Sequence, residues 1–291
     1  MMRKKKWLAG AAALAAAALI FCIWQNNDLT VSRSKVISER IPTEFDGFII
    51  AQISDLHNKN FGKQQGRLMS KLVETQPDII VISGDMIDSR RTDVEPALDF
   101  ARQAVELAPC YYVTGNHENR IPEEYQALKA GLEEAGVTVL ENEKAVLKRD
   151  GAVIKLFGVQ DPTFNLYTLA EDEASVMSAQ LAALQDGEDG YTILLSHRPE
   201  LFDVYAAAGV DLVFTGHAHG GQWRLPGIGG LVAPGQGFFP KYTSGAYHAI
   251  SCGETGSSET TMFVSRGLGN SLMPVRIFNR PEIVAVELCR E

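Results

Sequence analysis

The chain has 291 residues, of which 45% are hydrophobic and 22% are charged, and its formal net charge at pH 7 is −9. This length suits one large domain or two small ones, and the composition is ordinary for a globular protein. An acidic chain repels polyanions as a whole, so the composition argues against broad nucleic-acid binding.

The first 24 residues form a basic cluster followed by an uncharged apolar run. Residues 3–6 read RKKK, and the 18 residues from Trp7 to Trp24 carry no charge. Such a run is near the lower limit for spanning a bilayer, and a cationic cluster before it is a targeting pattern. Because the run ends in the bulky LIFCIWQNN rather than in a small-residue cleavage site, we predict a membrane anchor, or uncleaved signal, over residues 1–24.

The position of the basic cluster also predicts the orientation of the chain. Lys and Arg before the apolar run favour a cytoplasmic N-terminus, so we expect a single-pass protein of the cell membrane whose folded part is extracytoplasmic. Residues 25–45 are polar and mixed, which predicts a short tether, and residues 46–291 are expected to form the domain. Without residues 1–24 the chain has 23 basic and 36 acidic residues, a net charge of −13.

Short apolar runs alternate with helical patterns along the rest of the chain. Apolar, β-branched runs predict strands over 47–54, 78–85, 110–116, 152–159, 191–197 and 210–217. Helical spacing of apolar residues predicts helices over 66–76, 94–107, 122–136, 171–185 and 199–208. The glycine-rich stretch 216–245 predicts a loop or hairpin, and TMFVSRG and EIVAVEL near the end predict two further strands. This alternation indicates a layered α/β domain.

Side chains that can bind metal follow five of the predicted strands. In chain order they are Asp55 and His57 in SDLH, Asp85 and Asp88 in GDMID, Asn116 and His117 in GNHE, His197 in SHRP, and His217 and His219 in GHAH. Five of the six histidines lie at these positions, and only His248, which we interpret as structural, lies elsewhere. Each motif alone is an ordinary turn or cap, but strand ends are where α/β sheets build their sites. The five together predict one metal site.

The types of side chain indicate which ions would bind. Carboxylate, amide and imidazole donors without thiolate suit manganese, iron, zinc or cobalt better than calcium. Seven candidate ligands exceed the needs of one ion, so we expect two divalent ions, manganese before the others, that share a bridging carboxylate. Two ions about 3.5–4 Å apart clamp the attacking and leaving oxygens of an in-line displacement at phosphorus.

The ordered motifs D-x-H, G-D-x-x-D, G-N-H-E, a lone His and G-H-x-H resemble those of the calcineurin-like metallophosphoesterases. The resemblance runs from about Gly47 to Leu288. The apolar N-terminus, GHAHGGQWRLP, GQGFFPKYTSG and SRGLGNS resemble the membrane-associated bacterial branch that includes the YkuE and YaeI phosphodiesterases. The resemblance implies a four-layer α/β/β/α sandwich with the site at the edge of the two packed sheets.

The resemblance also implies a role for each motif residue. Asp55, His57 and His219 would hold one metal ion, Asn116, His197 and His217 would hold the other, and Asp85 would bridge them. His117 would face the scissile phosphate as proton donor or charge stabiliser, and Asp88 would hydrogen-bond to His117 and fix its tautomer. The implied reaction is hydrolysis of a phosphodiester by metal-activated hydroxide, without a phosphoenzyme.

The substrate is less well defined by the sequence. Trp223, Phe238, Phe239, Tyr242 and Tyr247 lie in and after the glycine-rich stretch, either as hairpin packing or as an apolar rim for a lipid-linked, membrane-proximal phosphoester. An alternative reaction is the hydrolysis of a nucleotide-linked lipid such as UDP-2,3-diacylglucosamine. An alternative of another class is a catalytically silent, membrane-tethered binding module, which the complete set of candidate ligands argues against.

Overall fold

The computed structural model describes residues 2–166, 172–253, 256–271 and 273–291. The helices are α1 (Met2–Asn27), α2 (Gly66–Val73), α3 (Glu95–Ala104), α4 (Asn116–Asn119), α5 (Pro122–Ala135), α6 (Glu173–Leu184) and α7 (Phe202–Ala207). The strands are β1 (Thr30–Ile37), β2 (Ile49–Ile53), β3 (Ile79–Ser83), β4 (Cys110–Val113), β5 (Thr138–Val139), β6 (Glu143–Arg149), β7 (Ala152–Gly158), β8 (Thr192–Leu195), β9 (Leu212–Thr215), β10 (Arg224–Leu225), β11 (Gly229–Gly230), β12 (Val232–Ala233), β13 (Gly237–Phe238), β14 (Gly245–Gly253), β15 (Gly256–Val264) and β16 (Glu282–Cys289).

Two six-stranded sheets form the centre of the fold. The first has the strand order β1-β16-β2-β3-β4-β5, and the second has the order β14-β15-β9-β8-β7-β6. Strands β2 to β5 run parallel in the first sheet, as do β7, β8, β9 and β15 in the second. Carboxyl ends of parallel strands meet at one edge of a sheet, so each sheet gathers the loops after its strands.

Three buried apolar clusters separate four layers. Successive side chains of a strand point to opposite faces. In β3, Ile80 and Ile82 therefore pack on α2, α3 and α5, whereas Ile79 and Val81 pack on the second sheet. The outer face of the second sheet packs on α6 and α7. The architecture is the expected α/β/β/α sandwich, with one core between the sheets and one under each helical layer.

Helix α1 differs from the other helices because it lies outside these cores. The segment Lys4–Asn27 is long and apolar enough to cross a membrane, and its most apolar part is not buried against the domain. The apolar run predicted over Trp7 to Trp24 therefore forms one continuous helix that ends at Asn27.

The predicted tether over residues 25–45 is wrong, because this stretch belongs to the sandwich. Strand β1 pairs in parallel with β16 along its whole length, from Thr30 opposite Glu282 to Ile37 opposite Cys289. Ile41 and Phe45 are completely buried in the core between the sheets. Only two residues separate α1 from β1, so the folded domain begins at residue 30 and not at residue 46.

The other predicted elements are found within a few residues of their expected bounds. The predicted helix over 171–185 begins at Glu173, and residue 171 lies outside the described residues. The predicted helix over 199–208 consists of a 3-10 turn, Pro199–Leu201, followed by α7. The glycine-rich stretch forms two short hairpins, β10–β11 and β12–β13.

Candidate metal centre

The candidate ligands lie on five loops that follow β2, β3 and β4 of the first sheet and β8 and β9 of the second. Five of these residues have left-handed backbone conformations, with φ between 47° and 63°: Asp55, His57, Asp85, His217 and His219. This conformation costs a residue other than glycine on the order of 1–3 kcal/mol, and such strain clusters at functional sites. The strained loops therefore lower the stability of the fold, and they fix the direction of these side chains.

Glycines in two of the motifs allow the loops to approach one another. A Cβ atom at Gly115 would overlap Oδ1 of Asp85, and one at Gly216 would overlap both Oγ of Ser54 and Oδ2 of Asp55. The glycines of G-N-H-E and G-H-x-H are therefore required because side chains of neighbouring motifs occupy the space of their missing side chains.

The first group of donor atoms comprises Asp55, His57, Asp85 and His219, all buried and mutually within 4.8 Å. Nε2 of His57 lies 3.1 Å from Nε2 of His219, and Nε2 of His219 lies 3.3 Å from Oδ1 of Asp55. The two imidazole rings are stacked with their centroids 4.9 Å apart. Three donors expected to hold one ion are thus directed at one point.

The second group comprises Asp85, His197 and His217. Nε2 of His197 lies 3.2 Å from Oδ2 of Asp85, and Nδ1 of His197 is 2.7 Å from the carbonyl oxygen of Ser83. When Nδ1–H donates to Ser83, the ring is oriented with Nε2 towards Asp85. Asn116, the remaining expected ligand, is buried beside this group.

Asp85 belongs to both groups. Its Oδ2 lies 3.6 Å from Nε2 of His57 in the first group as well as 3.2 Å from Nε2 of His197 in the second. Its Oδ1 accepts the backbone N–H of His117 at 2.8 Å, which fixes the plane of the carboxylate. A carboxylate held in this way is positioned to be shared between two ions.

The buried site keeps most of its imidazoles neutral. Burial lowers the pKa of His57 to about 3 and lowers the pKa values of His217 and His219 well below the usual value. Neutral imidazole is the form that binds a metal ion. Burial also opposes the charged form of His197, but the neighbouring carboxylates of Asp85 and Asp55 raise its pKa to about 10.

The donor set fits a pair of divalent ions. Oδ1 of Asn116 and Nε2 of His217 are buried and have no hydrogen-bond partner within the described ranges of the chain. An unsatisfied buried polar group costs about 1–3 kcal/mol, so such atoms call for a ligand. Because they belong to the residues expected to hold the second ion, bound metal would satisfy them.

His117 and Asp88 lie beside these groups, but the expected hydrogen bond between them is absent from the structure. Oδ1 of Asp88 lies 3.7 Å from Nδ1 of His117, beyond hydrogen-bonding distance. Nδ1 instead accepts the backbone N–H of Ser89 at 3.1 Å. The Asp88 carboxylate is turned towards Arg90, whose Nε and Nη2 atoms donate to it at 3.1 and 3.0 Å. The short turn after Asp88 places the Ser89 N–H closer to the ring than the Asp88 carboxylate.

Sequence reasoning missed Glu118, which organises two of the loops. Its completely buried carboxylate accepts the backbone N–H groups of Asp85 at 3.1 Å, Met86 at 2.8 Å and Gly115 at 2.9 Å. The fourth residue of G-N-H-E therefore holds the G-D and G-N turns together. The available signal was an acid directly after Asn116 and His117 in the same motif.

Asn279 was missed for a different reason, since it lies 60 residues beyond the last motif. Its Nδ2 donates to the carbonyl oxygens of His219 at 2.7 Å and Gln222 at 2.9 Å. Its own backbone N–H donates to Oε1 of Gln25, in the last turn of α1, at 3.1 Å. Nothing local in the sequence marks such a long-range contact.

A cavity of about 500 Å³ opens over the candidate ligands. Its lining includes His117, Asn116 and three arginines: Arg90, Arg120 and Arg198. Arg198 is buried and fixed by Asp161, with Nη2 3.1 Å from Oδ1. Arg90 is paired with Asp88, and Arg198 with Asp161 and Glu173, so the cavity offers guanidinium N–H groups to an anionic substrate rather than an excess of positive charge.

A layered α/β/β/α sandwich with paired His/Asp/Asn donor groups below an arginine-lined cavity defines a metal-dependent hydrolase of anionic esters. The sequence matches the Calcineurin-like phosphoesterase family over residues 48–221, and the chain belongs to this family. The family consists of hydrolases that use a dinuclear metal site and act on phosphoesters.

Relatives of the chain are similar over most of its length. It is 31% identical to the metallophosphoesterase YkuE of Bacillus subtilis over 258 residues, which cover 86% of this chain and 82% of YkuE. It is 27% identical to the phosphodiesterase YaeI of Escherichia coli over 245 residues, covering 83% and 82%. It is also 28% identical to a transmembrane protein with metallophosphoesterase domain from Danio rerio, covering 86% of this chain and 55% of that protein.

Proposed function

We propose that the chain is a dinuclear-metal phosphodiesterase anchored in the cell membrane by α1, with its domain outside the cytoplasm and an envelope phosphodiester as its substrate. The position of Asp85 carries the proposal. One carboxylate oxygen lies within 3.6 Å of a histidine from each of two buried donor groups. Two ions need such a shared anion because their mutual repulsion must be offset.

Seven residues would hold the ions. Asp55, His57 and His219 would bind one, Asn116, His197 and His217 would bind the other, and Asp85 would bind both. The donors suit manganese first, and iron, zinc or cobalt as substitutes. The metal pair, when bound, supplies activation of the attacking water and neutralises charge on the phosphoryl oxygens.

The remaining residues of the site would contact the substrate and its leaving group. Nδ1 of His117 accepts the Ser89 N–H, so the neutral ring carries its proton on Nε2, the nitrogen available to a leaving group. His117 lines the cavity, where this N–H would donate a hydrogen bond to the leaving-group oxygen and stabilise its charge. Arg90, Arg120 and Arg198 line the same cavity and would orient the phosphate oxygens.

The experiment that tests the proposal is hydrolysis of three phosphate compounds by purified full-length protein loaded with Mn²⁺. The three are bis-p-nitrophenyl phosphate, p-nitrophenyl phosphate and UDP-2,3-diacylglucosamine. We expect the diester to be cleaved fastest and Asp85→Asn to abolish this activity. Preference for the nucleotide-linked lipid would replace the proposal with pyrophosphatase activity. If none of the three compounds is hydrolysed in a metal-dependent way, the catalytically silent binding module would be the remaining function.

A further inference from the structure

The last turn of α1 is docked onto α2 and onto the segment between β15 and β16, whose Asn279 holds the His219 loop. Oε1 of Gln25 accepts the backbone N–H of Asn279 at 3.1 Å, and Oδ1 of Asn26 accepts Nδ2 of Asn270 at 2.7 Å. The carbonyl oxygen of Asn27 accepts Nη2 of Arg67 at 2.6 Å. Cations on the final carbonyls stabilise a helix C-terminus. The helix and the domain are therefore joined by a fixed contact.

This docking places the domain directly on the membrane that would hold α1. Two residues lie between Asn27 and Thr30, a reach of at most about 10 Å. The ring of Phe278 packs against that of Phe21 with the centroids 5.4 Å apart. Phe21 precedes Asn27 by almost two helical turns, about 9 Å along the axis. Phe278 therefore contacts α1 almost two turns before its C-terminal end, and not only at that end.

Phe278 belongs to a set of exposed apolar side chains that we name the apolar rim. Its members and exposed fractions are Trp223 37%, Leu225 41%, Ile228 64%, Phe238 82%, Phe239 70% and Phe278 53%. Tyr242 and Tyr247 are not members, because they pack with their rings 5.0 Å apart and Tyr242 is buried. The aromatic residues of this region thus divide between hairpin packing and an exposed surface.

Hydrogen bonds connect the apolar rim into one surface next to α1. Nε1 of Trp223 donates to the carbonyl oxygen of Val275 at 2.9 Å. The backbone N–H of Arg224 donates to the carbonyl oxygen of Ile277, also at 2.9 Å. Leu231 N–H donates to Trp223, and Phe239 N–H donates to Leu231, each at 2.9 Å. The two hairpins are therefore held against the segment that contacts the helix.

Two of the phenylalanines are also held in an unfavourable backbone conformation. Phe239 has φ 52° and Phe278 has φ 51°, in the left-handed region that bulky residues avoid. In water, neither the strained backbone nor the exposure of a large apolar side chain stabilises the fold. Both features are consistent with a surface that is covered in the working protein.

We propose that the apolar rim inserts into the outer leaflet of the bilayer that holds α1, as a second contact beside the helix. Aromatic side chains favour this interfacial level of a membrane. Pro234, Gly235 and Ser271, from the same two segments, line the active-site cavity. The cavity mouth therefore borders the lipid headgroups, where a membrane-borne phosphodiester is found. The inference rests on the membrane anchoring and the activity proposed above.

The test is photolabelling of the full-length protein in nanodiscs that contain phosphatidylcholine with a diazirine on its acyl chain. We expect adducts on peptides that contain residues 223–239 and 273–280, in addition to those on α1. The double variant Phe238→Ser/Phe239→Ser is expected to reduce labelling of the hairpin about fivefold or more. The matched variant Val146→Ser changes an exposed apolar residue on β6, at the far edge of the second sheet, and is expected to leave labelling unchanged.

The labelling results separate this inference from the proposed activity. Adducts confined to α1, adducts equally frequent on residues 143–153, or rim-to-rim cross-links between two copies would each overturn the membrane contact. Hydrolysis of bis-p-nitrophenyl phosphate by the same nanodisc samples measures the activity independently. The double variant is expected to retain it. Labelling without hydrolysis would contradict the proposed function alone, and hydrolysis without labelling of the rim would contradict the membrane contact alone.

Discussion

The backbone N–H of Ser89 donates a 3.1 Å hydrogen bond to Nδ1 of His117, whereas the nearest Asp88 oxygen lies 3.7 Å from the same nitrogen. A donor at Nδ1 makes that nitrogen an acceptor, so the neutral ring carries its proton on Nε2. The hydroxyl oxygen of Ser89 also lies 3.1 Å from Nδ1, so Ser89, and not the Asp88 carboxylate, selects the tautomer of His117.

Ser89→Pro should slow turnover because proline has no N–H to donate to His117. Ser89 follows Asp88 in a turn closed by a 3.2 Å hydrogen bond from Arg91 N–H to the Asp88 carbonyl, a position that tolerates proline. We expect kcat on a dialkyl phosphate to fall about tenfold, which corresponds to roughly 1.4 kcal/mol, with unchanged metal content. Ser89→Ala keeps the N–H and should stay near the parent. An equal loss in the alanine variant would assign the effect to the hydroxyl.

Asp88→Asn should keep both metal ions and reduce turnover. The carboxylate acts on His117 through its charge at 3.7 Å and through the turn that it forms with Arg90. The amide removes that charge and accepts only part of the Arg90 hydrogen bonds that hold the turn beside His117, so we expect a decrease of about tenfold, or roughly 1.4 kcal/mol. Metal analysis decides the assignment. Asp88 lies in a buried group with His57 and His117, and loss of an ion would make it a ligand.

Glu118→Gln should destabilise the domain without removing a ligand. Both carboxylate oxygens accept backbone N–H groups, and a glutamine would present an NH₂ group to one set of these donors. We expect the free energy of unfolding to fall by about 2 kcal/mol and Tm by roughly 4–8 °C. Glu123→Gln, on the exposed first turn of α5, is the matched control. Equal melting temperatures for the two variants would contradict the organising role of Glu118.

The sequence was sufficient for the layers and for the strand-end motifs because both depend on local patterns. Runs such as DIIVISGD are apolar on both faces, as strands buried between two layers must be. Strand β1, TVSRSKVI, was not predicted because it is an edge strand whose centre, SRSK, is polar and charged and resembles a linker. Its partner β16 lies some 250 residues away, so no local pattern shows the pairing.

The site was predicted less completely in its supporting contacts than in its donors. Donor type and strand-end position are visible in a sequence, and the structure gathers six of the seven candidate ligands in two groups that share Asp85, while Asn116 lines the same cavity as Asp85. The contact of Ser89 with His117 involves a backbone N–H, which every residue but proline has, and a hydroxyl that is common in turns. Asn279 acts through a contact across 60 residues. Neither carries a signal in residue type or spacing.

The orientation of α1 should place the C-terminus outside the cytoplasm. A reporter that is active only outside the cytoplasm, fused after Glu291, is expected to be active. Changing residues 3–6 from RKKK to glutamate should weaken its signal, because the positive charges before the apolar helix set the orientation. Activity only from a matched cytoplasmic reporter would reverse the proposed topology and exclude an envelope substrate.

Asp85→Asn and His117→Gln should separate metal binding from stabilisation of the leaving group. Asp85 takes part in both donor groups, so its amide variant removes a negative charge and a shared ligand together. Two cations a few ångströms apart repel strongly, and the shared anion offsets that repulsion. We expect Asp85→Asn to lose at least one ion and nearly all activity, as measured by elemental analysis and by hydrolysis of a phosphodiester.

His117→Gln should keep both ions and a folded domain, because His117 lines the cavity and its assigned role is towards the substrate. Its turnover of an unactivated diester should fall by roughly 10²–10⁴-fold, the range for losing one acid–base or charge-stabilising group. The deficit should shrink for bis-p-nitrophenyl phosphate, since p-nitrophenolate is a stable anion that needs little help to leave. A variant that loses metal, or that is equally impaired on both diesters, would show that His117 does not act on the leaving group.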